Sequence, residues 1–285
     1  MKTSTHIEAR NFATLIGLTQ NAIFNDSQEV STDRWQSWDI KNRPDYVTYE
    51  LLNYSCHVPL YGEELDLYQH DIKANLPWAD DHFEERVCGY PINPGTQWEN
   101  WPWGAAAAKH RDGNAKFNHN YMERLWPKIA GLVNSGTRTP EDYKKEIPPG
   151  GYASIMGIYH QYGDLNDLVK YLVKEPTTRQ AYIPLFFPED TGFGDGGRKP
   201  CTLGYQFIVR NKQLHLYYPM RSCDFVRHFR DDIYLGIRLL LWVLYKCREA
   251  DPDTWNDIKP GSYSMHCTSL HIFTNDWINL FGKRK

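Results

Sequence analysis

The stretch PCTLGYQFIVRNKQLHLYYPMRSCD, residues 200–224, decides the fold that this sequence predicts. Within it, residues 204–210 and 214–219 alternate apolar with polar side chains, which is typical of strands that bury one face. Asn211 and Lys212 lie between the two runs, at the place of a tight turn. The stretch therefore predicts a β-hairpin.

The rest of the chain predicts an α/β domain around this hairpin. Further strands are predicted at residues 46–54, 182–187 and 263–273. Helices are predicted at residues 119–134, 164–175 and 224–247. Residues 89–118, which are rich in Gly, Pro, Trp and Asn, predict a long irregular insertion with a short helix at 105–110. No repeat or composition shift divides the sequence, so we expect one domain over residues 1–285.

Composition and charge argue against several classes of protein. With 41% hydrophobic residues the chain can bury a large core, unlike a disordered protein. The net charge is −3 and no basic stripe is present, so a nucleic-acid polymer is not an expected partner. No apolar run is long enough for a membrane span or a leader, and we expect a protein of the cytoplasm, including that of a phage-infected host. The six cysteines form no CxxC pair, which indicates reduced thiols and neither a structural metal nor disulfides.

Cys201 is the first candidate for chemistry. It follows Pro200 at the start of the hairpin, after a loop that holds Arg198 and Lys199. Cations beside a cysteine favour the thiolate, which is the form that acts as a nucleophile. A single cysteine at a strand start is more often an inert residue, so this position needs support from its neighbours.

Arg221 and Ser222 form a candidate phosphate site at the junction between the second strand and a predicted helix. Guanidinium, hydroxyl and backbone N–H donors can converge on an anion at such a junction. A helix cap with a surface arginine is the plainer alternative. The glycine-rich residues 192–197 lead into a strand and not into a helix, so they do not match a dinucleotide-binding loop.

Taken in order, these motifs resemble the thymidylate synthase superfamily. The sequence carries PCTLGYQF at 200–207, YYPMRSCD at 217–224 and PGSYSMHCTSLHIF at 260–273. The family has a nucleophilic Cys after Pro, Gln-Phe five and six residues later, an Arg-Ser-x-Asp phosphate motif and a late His-x-Tyr. Residues 163–190 resemble the family's helix and arginine-bearing strand, and the likeness covers residues 150–273. It implies a mixed β-sheet packed with helices in a single domain.

The resemblance implies a nucleophile and a phosphate clamp. Cys201 matches the thiol that adds to C6 of a pyrimidine, and Arg221 with Ser222 matches the pair that holds the 5′-phosphate. Arg179 matches the first of two arginines that reach the phosphate of a neighbouring subunit, which implies a homodimer. The second of those arginines is Gln180 here, so one cationic contact differs from the family.

The resemblance also implies that 5,10-methylenetetrahydrofolate is the co-substrate. Asp224 matches the aspartate that hydrogen-bonds the pterin, and Trp126 is the candidate for the family's folate-facing tryptophan. Tyr152, from its spacing before Arg179, matches the tyrosine near the reacting carbon. Asp224 and Trp126 are therefore the candidate folate-binding residues, and Tyr152 is a candidate catalytic residue.

The catalytic glutamate of the family is expected in the first half of the chain. The segment HFEERVCG, residues 82–89, is the best candidate, and within it we choose Glu85 over Glu84. Glu99 in the segment WENWPW is a rival. Paired acids on a solvated helix face are the plainer explanation for Glu84 and Glu85.

Asp232 decides the base that the sequence predicts. Thymidylate synthases have Asn eleven residues after the motif arginine, and its amide serves both O4 and N3–H of uracil. A carboxylate only accepts hydrogen bonds, so Asp232 suits the 4-amino group of cytosine and repels uracil O4. The string FRDDI at 229–233, together with Met220 and Thr202, also resembles the phage deoxycytidylate hydroxymethylases. A structural aspartate at a helix start is the alternative.

The family's late His-x-Tyr motif appears here as His271, Ile272 and Phe273, so the phenol that contacts the sugar in the family is missing. Both CMP and dCMP therefore stay open as substrates.

The resemblance implies 5-hydroxymethylation of a cytidylate, with C5 methylation of a thymidylate or cytidylate by hydride transfer as the runner-up. A nucleotide-binding relative without catalytic activity is a third interpretation. The presence of Cys201 argues against it, because binding alone does not need the thiol. A zinc deaminase is not favoured, because the second cysteine of its PCxxC motif is missing.

Overall fold

The predicted hairpin is present and lies near the centre of a β-sheet. Its strands, Gly204–Arg210 and Gln213–Asp224, pair antiparallel. Asn211 and Lys212 between them have φ values of 51° and 57°, as the two-residue turn of a hairpin requires. The computed structural model describes residues 3–35, 38–111, 113, 115–117, 119–127, 153–155, 158–160, 163–192 and 198–282.

The strands of the described chain form one large sheet and two small ones. In chain order they are β1 (Thr5–Glu8), β2 (Gln28–Val30), β3 (Arg34–Trp35), β4 (Trp38–Asp39), β5 (Thr48–Pro59), β6 (Ala153–Ile155), β7 (Ile158–His160), β8 (Tyr182–Pro184), β9 (Gly204–Arg210), β10 (Gln213–Asp224) and β11 (Lys259–Phe273). The large sheet has the order β1, β5, β11, β10, β9, β8, and β2 also pairs with β5. It is mixed, because β1 is parallel to β5 and β10 is parallel to β11, whereas the other pairs are antiparallel.

Helices supply the second layer of the fold. In chain order they are α1 (Phe12–Asp26), α2 (Leu65–Ile72), α3 (Trp78–Arg86), α4 (Gly104–Ala108), α5 (Tyr121–Leu125), α6 (Leu165–Lys174), α7 (Pro188–Gly192), α8 (Phe229–Ala250), α9 (Pro252–Trp255) and α10 (Thr274–Phe281). Short 3-10 helices cover Pro44–Tyr46 and Thr96–Asn100. The long helix α8 is the crossover that parallel β10 and β11 require, and it packs on both strands.

Close packing of α8 on the sheet forms the centre of the hydrophobic core. Ile233, Ile237 and Leu240 are fully buried on one side of the helix. At Gly236 an added Cβ would lie 2.9 Å from the ring of Tyr263 on β11, so a side chain there would push the helix away. One core cluster extends from β1 to α10, in agreement with the single α/β domain that the sequence predicts.

The opposite face of the sheet presents polar and aromatic side chains. His57 bonds to Ser264, and His215 bonds to Ser262, across neighbouring strands. Tyr182 and Tyr217 on this face are about two-fifths exposed, at 42% and 41%. This face therefore offers a broad surface that is not part of the core.

Several predicted boundaries differ from the structure for local reasons. The strand predicted at 46–54 is β5, which begins at Thr48 and continues to Pro59. The helix predicted from residue 224 begins at Phe229, because the Asp224 carboxylate accepts hydrogen bonds from the N–H groups of Val226 and Arg227 and forms a turn first. Of the helix predicted at 119–134 the structure describes α5, and residues 128–134 lie outside the described residues.

Six of the described helices have no counterpart among the predicted ranges, namely α1, α2, α3, α7, α9 and α10. In the described part of the chain, no helix combines the length and the apolar character that crossing a membrane requires.

Candidate active site

Cys201 lies where the chain enters the hairpin, beside the phosphate motif. The Arg221 N–H donates to the Cys201 carbonyl at 2.9 Å, and Thr202 pairs with Met220, so the two segments run side by side. The Ser222 hydroxyl is 3.5 Å from the Cys201 Sγ, and Arg221 Nη2 is 3.7 Å from it. The structure thus brings the predicted nucleophile and the predicted phosphate ligands together.

Backbone carbonyls hold the Arg221 side chain in one orientation. Its Nε donates to the Pro200 carbonyl at 2.8 Å, and its Nη2 donates to the Lys199 carbonyl at 2.9 Å. Its Nη1 lies 3.2 Å from the Ser222 hydroxyl. Because the guanidinium is fixed before a ligand binds, little conformational entropy remains to be lost when an anion docks against it.

Asp232 lies in the first turn of α8 and is partly buried. The Cys223 thiol donates to its Oδ2 at 3.6 Å. Burial is the main cause that raises the pKa of Asp232 to about 7. The charge of Arg86 opposes this rise, and the charge of Asp231 adds to it. The Asp231 carboxylate itself accepts both the N–H and the side-chain amide of Asn75. Both forms of the Asp232 carboxyl group are therefore populated near neutral pH.

A tyrosine that the sequence analysis missed lies beside the thiol. The Thr202 hydroxyl donates to the Tyr121 hydroxyl at 3.2 Å and lies 2.8 Å from the Tyr218 hydroxyl. Burial, followed by the nearby Cys201 and Asp232, raises the pKa of Tyr121 to about 12. Tyr121 is therefore close enough to both the nucleophile and the predicted base-reading residue to interact with them electrostatically.

Tyr152, which the resemblance placed near the reacting carbon, lies outside the described residues. Tyr121 is one of 19 tyrosines, and its spacing from Cys201 marks nothing in the sequence. Its position becomes informative only when α5 is packed against the start of the hairpin. Tertiary packing is thus the signal that identifies it.

Asp224 ends β10 and is almost fully buried. Its Oδ1 accepts from the N–H groups of Val226 and Arg227, and its Oδ2 is 3.4 Å from Arg227 Nε. Burial raises the pKa of Asp224, against the opposing charges of His271 and Arg227. In this structure the carboxylate stabilises the turn into α8, and its contact with a pterin stays a prediction.

His271 lies opposite Asp224 in the register of β10 and β11. Its ring meets the ring of Phe273 edge-on, with centroids 5.6 Å apart. Phe273 is buried and carries the Arg227 guanidinium over its ring at 4.7 Å. The position that holds a phenol in the family is therefore filled by an apolar ring, next to a histidine that keeps its place.

Glu85 points to the insertion and holds it in place. Its Oε1 accepts from the Thr96 hydroxyl at 3.0 Å and from the Gln97 N–H at 2.9 Å, and its Oε2 is 3.5 Å from His82 Nδ1. Burial would raise the pKa of Glu85, but the bonds from His82 and Gln97 outweigh it, and the pKa is lowered. The carboxylate is ionised and partly buried, and its catalytic role stays a prediction.

The other candidates from the first half of the chain have less favourable positions. Glu84 is exposed and pairs with Arg238 at 2.7 Å, and Glu99 is exposed as well. Trp126 is 3% exposed and its indole N–H donates to the Arg86 carbonyl at 2.8 Å. This indole belongs to the core beneath α3, and the folate contact assigned to it stays a prediction.

Arg179 is exposed just before β8, and its carbonyl accepts from the Gln206 side chain. Gln180 is also exposed and accepts a hydrogen bond from the Tyr171 hydroxyl. An exposed guanidinium at the edge of the sheet is available to a second subunit. The structure places both residues on the surface and leaves their role in a dimer a prediction.

A group of aromatic and basic side chains from the insertion surrounds the start of α8. The Arg227 guanidinium lies over the Trp103 ring at 5.0 Å, and His228 stacks on Trp101 with centroids 5.0 Å apart. Burial and then the charge of Arg198 lower the pKa of His228 to about 3. These residues form a cluster of aromatic rings around the Arg227 guanidinium at the turn into α8.

Comparison with known proteins identifies the fold of this chain. No protein-family model matches the chain. A solved structure, thermostable thymidylate synthase A from Bacillus subtilis, superposes with a TM-score of 0.61 and covers 96% of this chain and 82% of its own, at 14% sequence identity. The chain has a thymidylate synthase-like fold. The predicted fold class, a mixed sheet packed with helices, is confirmed by this likeness.

Curated relatives support the same resemblance at the level of sequence. The chain is 29% identical over 124 residues to a deoxyuridylate hydroxymethyltransferase of Bacillus phage SP01, a match that covers 42% of this chain and 30% of that protein. It is 26% identical over 147 residues to a putative thymidylate synthase of Methanosarcina barkeri, covering 48% and 62% respectively. The matched part thus spans less than two thirds of each relative. The resemblance to the thymidylate synthase superfamily is confirmed.

Proposed function

We propose that this thymidylate synthase-like chain transfers a one-carbon unit from 5,10-methylenetetrahydrofolate to C5 of CMP or dCMP and forms the 5-hydroxymethyl product. One observation carries the proposal. The Cys201 Sγ lies beside the Arg221 and Ser222 side chains, while Asp232 lies in the helix that follows the same strand. Nucleophile, phosphate ligands and base-reading residue therefore belong to one strand–turn–helix unit.

The mechanism begins with addition of the Cys201 thiolate to C6 of the pyrimidine, which makes C5 nucleophilic. C5 then attacks the methylene carbon of the co-substrate, and the C5 proton leaves. Elimination of tetrahydrofolate gives an exocyclic methylene group, water adds to that carbon, and the sulfur departs from C6. Arg221 and Ser222 anchor the far end of the nucleotide, which keeps C6 over the sulfur during these steps.

Asp232 supports cytosine as the base. Its ionised carboxylate accepts a hydrogen bond from the 4-amino group, whereas the O4 of uracil would face it with like partial charge.

Other residues complete the proposed site. His271 contacts the sugar, and the apolar Phe273 beside it leaves room for either a ribose or a deoxyribose. Asp224, Trp101 and Trp103 are assigned to the folate in this proposal, and Tyr121 is assigned to the reacting carbon. Glu85 orders water for the last step. A homodimer, in which Arg179 reaches the phosphate of the second subunit, is part of the same proposal.

Tritium release tests this function directly. CMP, dCMP and dUMP, each tritiated at C5, are incubated separately with the enzyme and methylenetetrahydrofolate, and the products of a CMP and dCMP mixture are identified by mass spectrometry. We expect release from a cytidylate and a 5-hydroxymethyl product. A 5-methyl product with dihydrofolate would overturn the hydroxymethyl step, and no release from any nucleotide would favour a silent nucleotide-binding protein.

Hydroxymethylation of deoxyuridylate is the second candidate. It is favoured by the relative from Bacillus phage SP01, whose name states that reaction. The same assay separates the two candidates, because release from dUMP with little release from CMP or dCMP would assign uracil as the base. Asp232 would then have to act in its protonated form.

A further inference from the structure

Arg86 is a buried cation at the C-terminus of α3, and the proposed function does not use it. Its side chain is 8% exposed. Among the residues that the structure describes, no carboxylate lies within ion-pair distance of its guanidinium. An isolated buried charge is costly to desolvate, so its presence beside the site calls for a function.

A relay of hydrogen bonds fixes the direction of the Arg86 side chain. Its Nε donates to His82 Nε2 at 3.1 Å, which leaves the proton of the neutral imidazole on Nδ1, facing Glu85. Burial and the charge of Arg86 lower the pKa of His82 to about 4, so the ring stays neutral in the working range of pH. Glu85 is anchored in turn by the Gln97 N–H. The guanidinium is thus held away from the insertion.

The free end of Arg86 packs against Tyr121, a neighbour of the candidate active site. Its guanidinium carbon lies 4.6 Å from the centre of the Tyr121 ring, and the Tyr121 hydroxyl accepts from Thr202 next to the nucleophile. Among the charges that act on Asp232, that of Arg86 is the largest that favours the ionised form. Arg86 therefore lies between the glutamate relay and the carboxylate that meets the base.

Groups from several elements face Asp232 and modulate the same proton. The acid Asp231 adjoins it on α8, and its charge opposes that of Arg86. The other titratable groups that interact with Asp232 are neutral at neutral pH and comprise Tyr121 on α5, Tyr205 on β9, Tyr218 and Cys223 on β10, and Tyr263 and Cys267 on β11. Burial is the largest influence and raises the pKa of Asp232, and among the charged neighbours only Arg86 opposes it while Asp231 adds to it.

We propose that Arg86 is a positioning residue for base selection, which keeps the Asp232 carboxylate ionised and so favours cytosine over uracil. The ionised form accepts the 4-amino group of cytosine and repels uracil O4. The protonated form donates to O4 while its other oxygen accepts from N3–H, so it admits uracil. The inference rests on the proposed function, and it predicts a preference for cytosine that increases with pH.

The pH profile of base preference tests Arg86 against a purely structural role. The ratio of kcat/KM for cytidylate over uridylate is measured between pH 5.5 and 9 for the wild type, Arg86→Met and Arg86→Lys. In the wild type we expect the ratio to rise with a midpoint near pH 7. Arg86→Met should move the midpoint upward by about one pH unit and lower the ratio at pH 7.5 by roughly fivefold, while Arg86→Lys keeps the midpoint within about 0.3 unit. A lower rate for both bases with an unchanged midpoint would overturn the proposal.

Arg238→Met is the matched control. Arg238 also packs against α3, with its guanidinium over the Phe83 ring, but it pairs with Asp80 and Glu84 and is not among the largest influences on the pKa of Asp232. Its loss should leave the midpoint where it is in the wild type. If Arg86→Met does not fold, Arg86→Gln, which keeps a donor toward His82, replaces it in the comparison.

Equilibrium binding separates failure of this inference from failure of the proposed function. The dissociation constants of CMP and UMP are measured over the same pH range by quenching of tryptophan fluorescence, which requires no turnover. If the wild type releases no tritium from any nucleotide, the proposed reaction is wrong, yet the ratio of the two constants still reports on Asp232. A binding midpoint that is identical in the wild type and in the folded neutral variant would overturn the role of Arg86.

Discussion

The unit of residues 200–232 and the segment of residues 78–126 both contribute side chains to the site around Cys201, but they hold them differently. In the first, the ladder between β9 and β10 and the turn into α8 fix each position through the backbone. In the second, short helices and an irregular insertion are fixed by buried polar side chains, such as Glu85 on the Gln97 N–H and Arg124 on Asp190.

This difference separates two kinds of functional residue. Cys201, Arg221 and Asp232 are brought together by the pairing of neighbouring strands and by the turn into α8, and both depend on short distances along the sequence. Tyr121 and Arg86 come near them only because α3 and α5 pack against the start of the hairpin. The first region therefore contains the functional residues that sequence motifs identify. The second contains residues that modify the site and can be identified only from the folded structure.

Removal of the nucleophile in the first region should have the largest effect. Cys201→Ser replaces the thiolate by a hydroxyl that stays protonated, so we expect tritium release to fall by at least about 10³-fold. Cys88→Ser is the matched control, because Cys88 is partly buried but lies outside the site. Release by Cys201→Ser equal to that of Cys88→Ser would show that the nucleophile is misassigned.

Breaking the buried ion pair of the second region should have the largest effect on stability. Arg124 donates to Asp190 through two N–H groups at 2.7 and 2.8 Å, and both side chains are at most 2% exposed. Asp190→Ala leaves the guanidinium buried without its partner, so the free energy of unfolding should fall by about 3 to 5 kcal/mol, measured by urea denaturation.

A double variant controls for the loss of the pair itself. Arg124→Met with Asp190→Leu removes both charges and keeps most of the volume, so it should recover a large part of the stability that Asp190→Ala loses. Equal losses in the single and the double variant would indicate that packing, and not the unpaired charge, accounts for the effect.

The base preference should change by about 10²-fold when Asp232 becomes an amide, since one hydrogen-bonding pair carries about 1 to 3 kcal/mol of discrimination. Asp232→Asn can donate to uracil O4 and accept from N3–H, so uridylate should become the better substrate. The measurement is the ratio of kcat/KM for the two nucleotides at pH 8. An unchanged ratio would place base recognition elsewhere in the site.

The same substitution should alter how stability depends on pH. In the folded chain Asp232 keeps its proton up to about pH 7, whereas in the unfolded chain it loses the proton near pH 4. Between these values the folded state binds one more proton than the unfolded state, so this group costs stability as the pH rises.

Asp232→Asn removes this titration. Compared with the wild type, it should be nearly neutral at pH 4 and more stable at pH 8, by on the order of 2 kcal/mol. Thermal or urea unfolding of both proteins at the two pH values checks the sign. A variant that is less stable at pH 8 would mean that the carboxylate is ionised and well paired in the folded chain.

How much the sequence could predict follows from the same contrast. Alternation at 204–210 and the Asn211–Lys212 turn predict the hairpin because strand pairing across a two-residue turn is local. Helix α1 escaped prediction although Phe12, Leu15 and Ile16 follow helical spacing, since its exposed face also carries Leu18 and Phe24 and blurs the pattern. The place of a residue such as Tyr121 depends on packing between distant segments, and no local pattern encodes it.

The smallest expected effects separate two neighbouring glutamates of α3. Glu84 forms an exposed pair with Arg238, so Glu84→Gln should change stability by only a few tenths of a kcal/mol and leave kcat unaltered. Glu85 accepts hydrogen bonds from Gln97 and Thr96 in a partly buried place, and Glu85→Gln should cost about 1 kcal/mol. If Glu85 also orders the attacking water, its variant must lower kcat while the KM for the nucleotide stays nearly constant. A stability loss with unchanged kcat would make Glu85 an anchor of the insertion alone, and the catalytic base would then have to come from another part of the site.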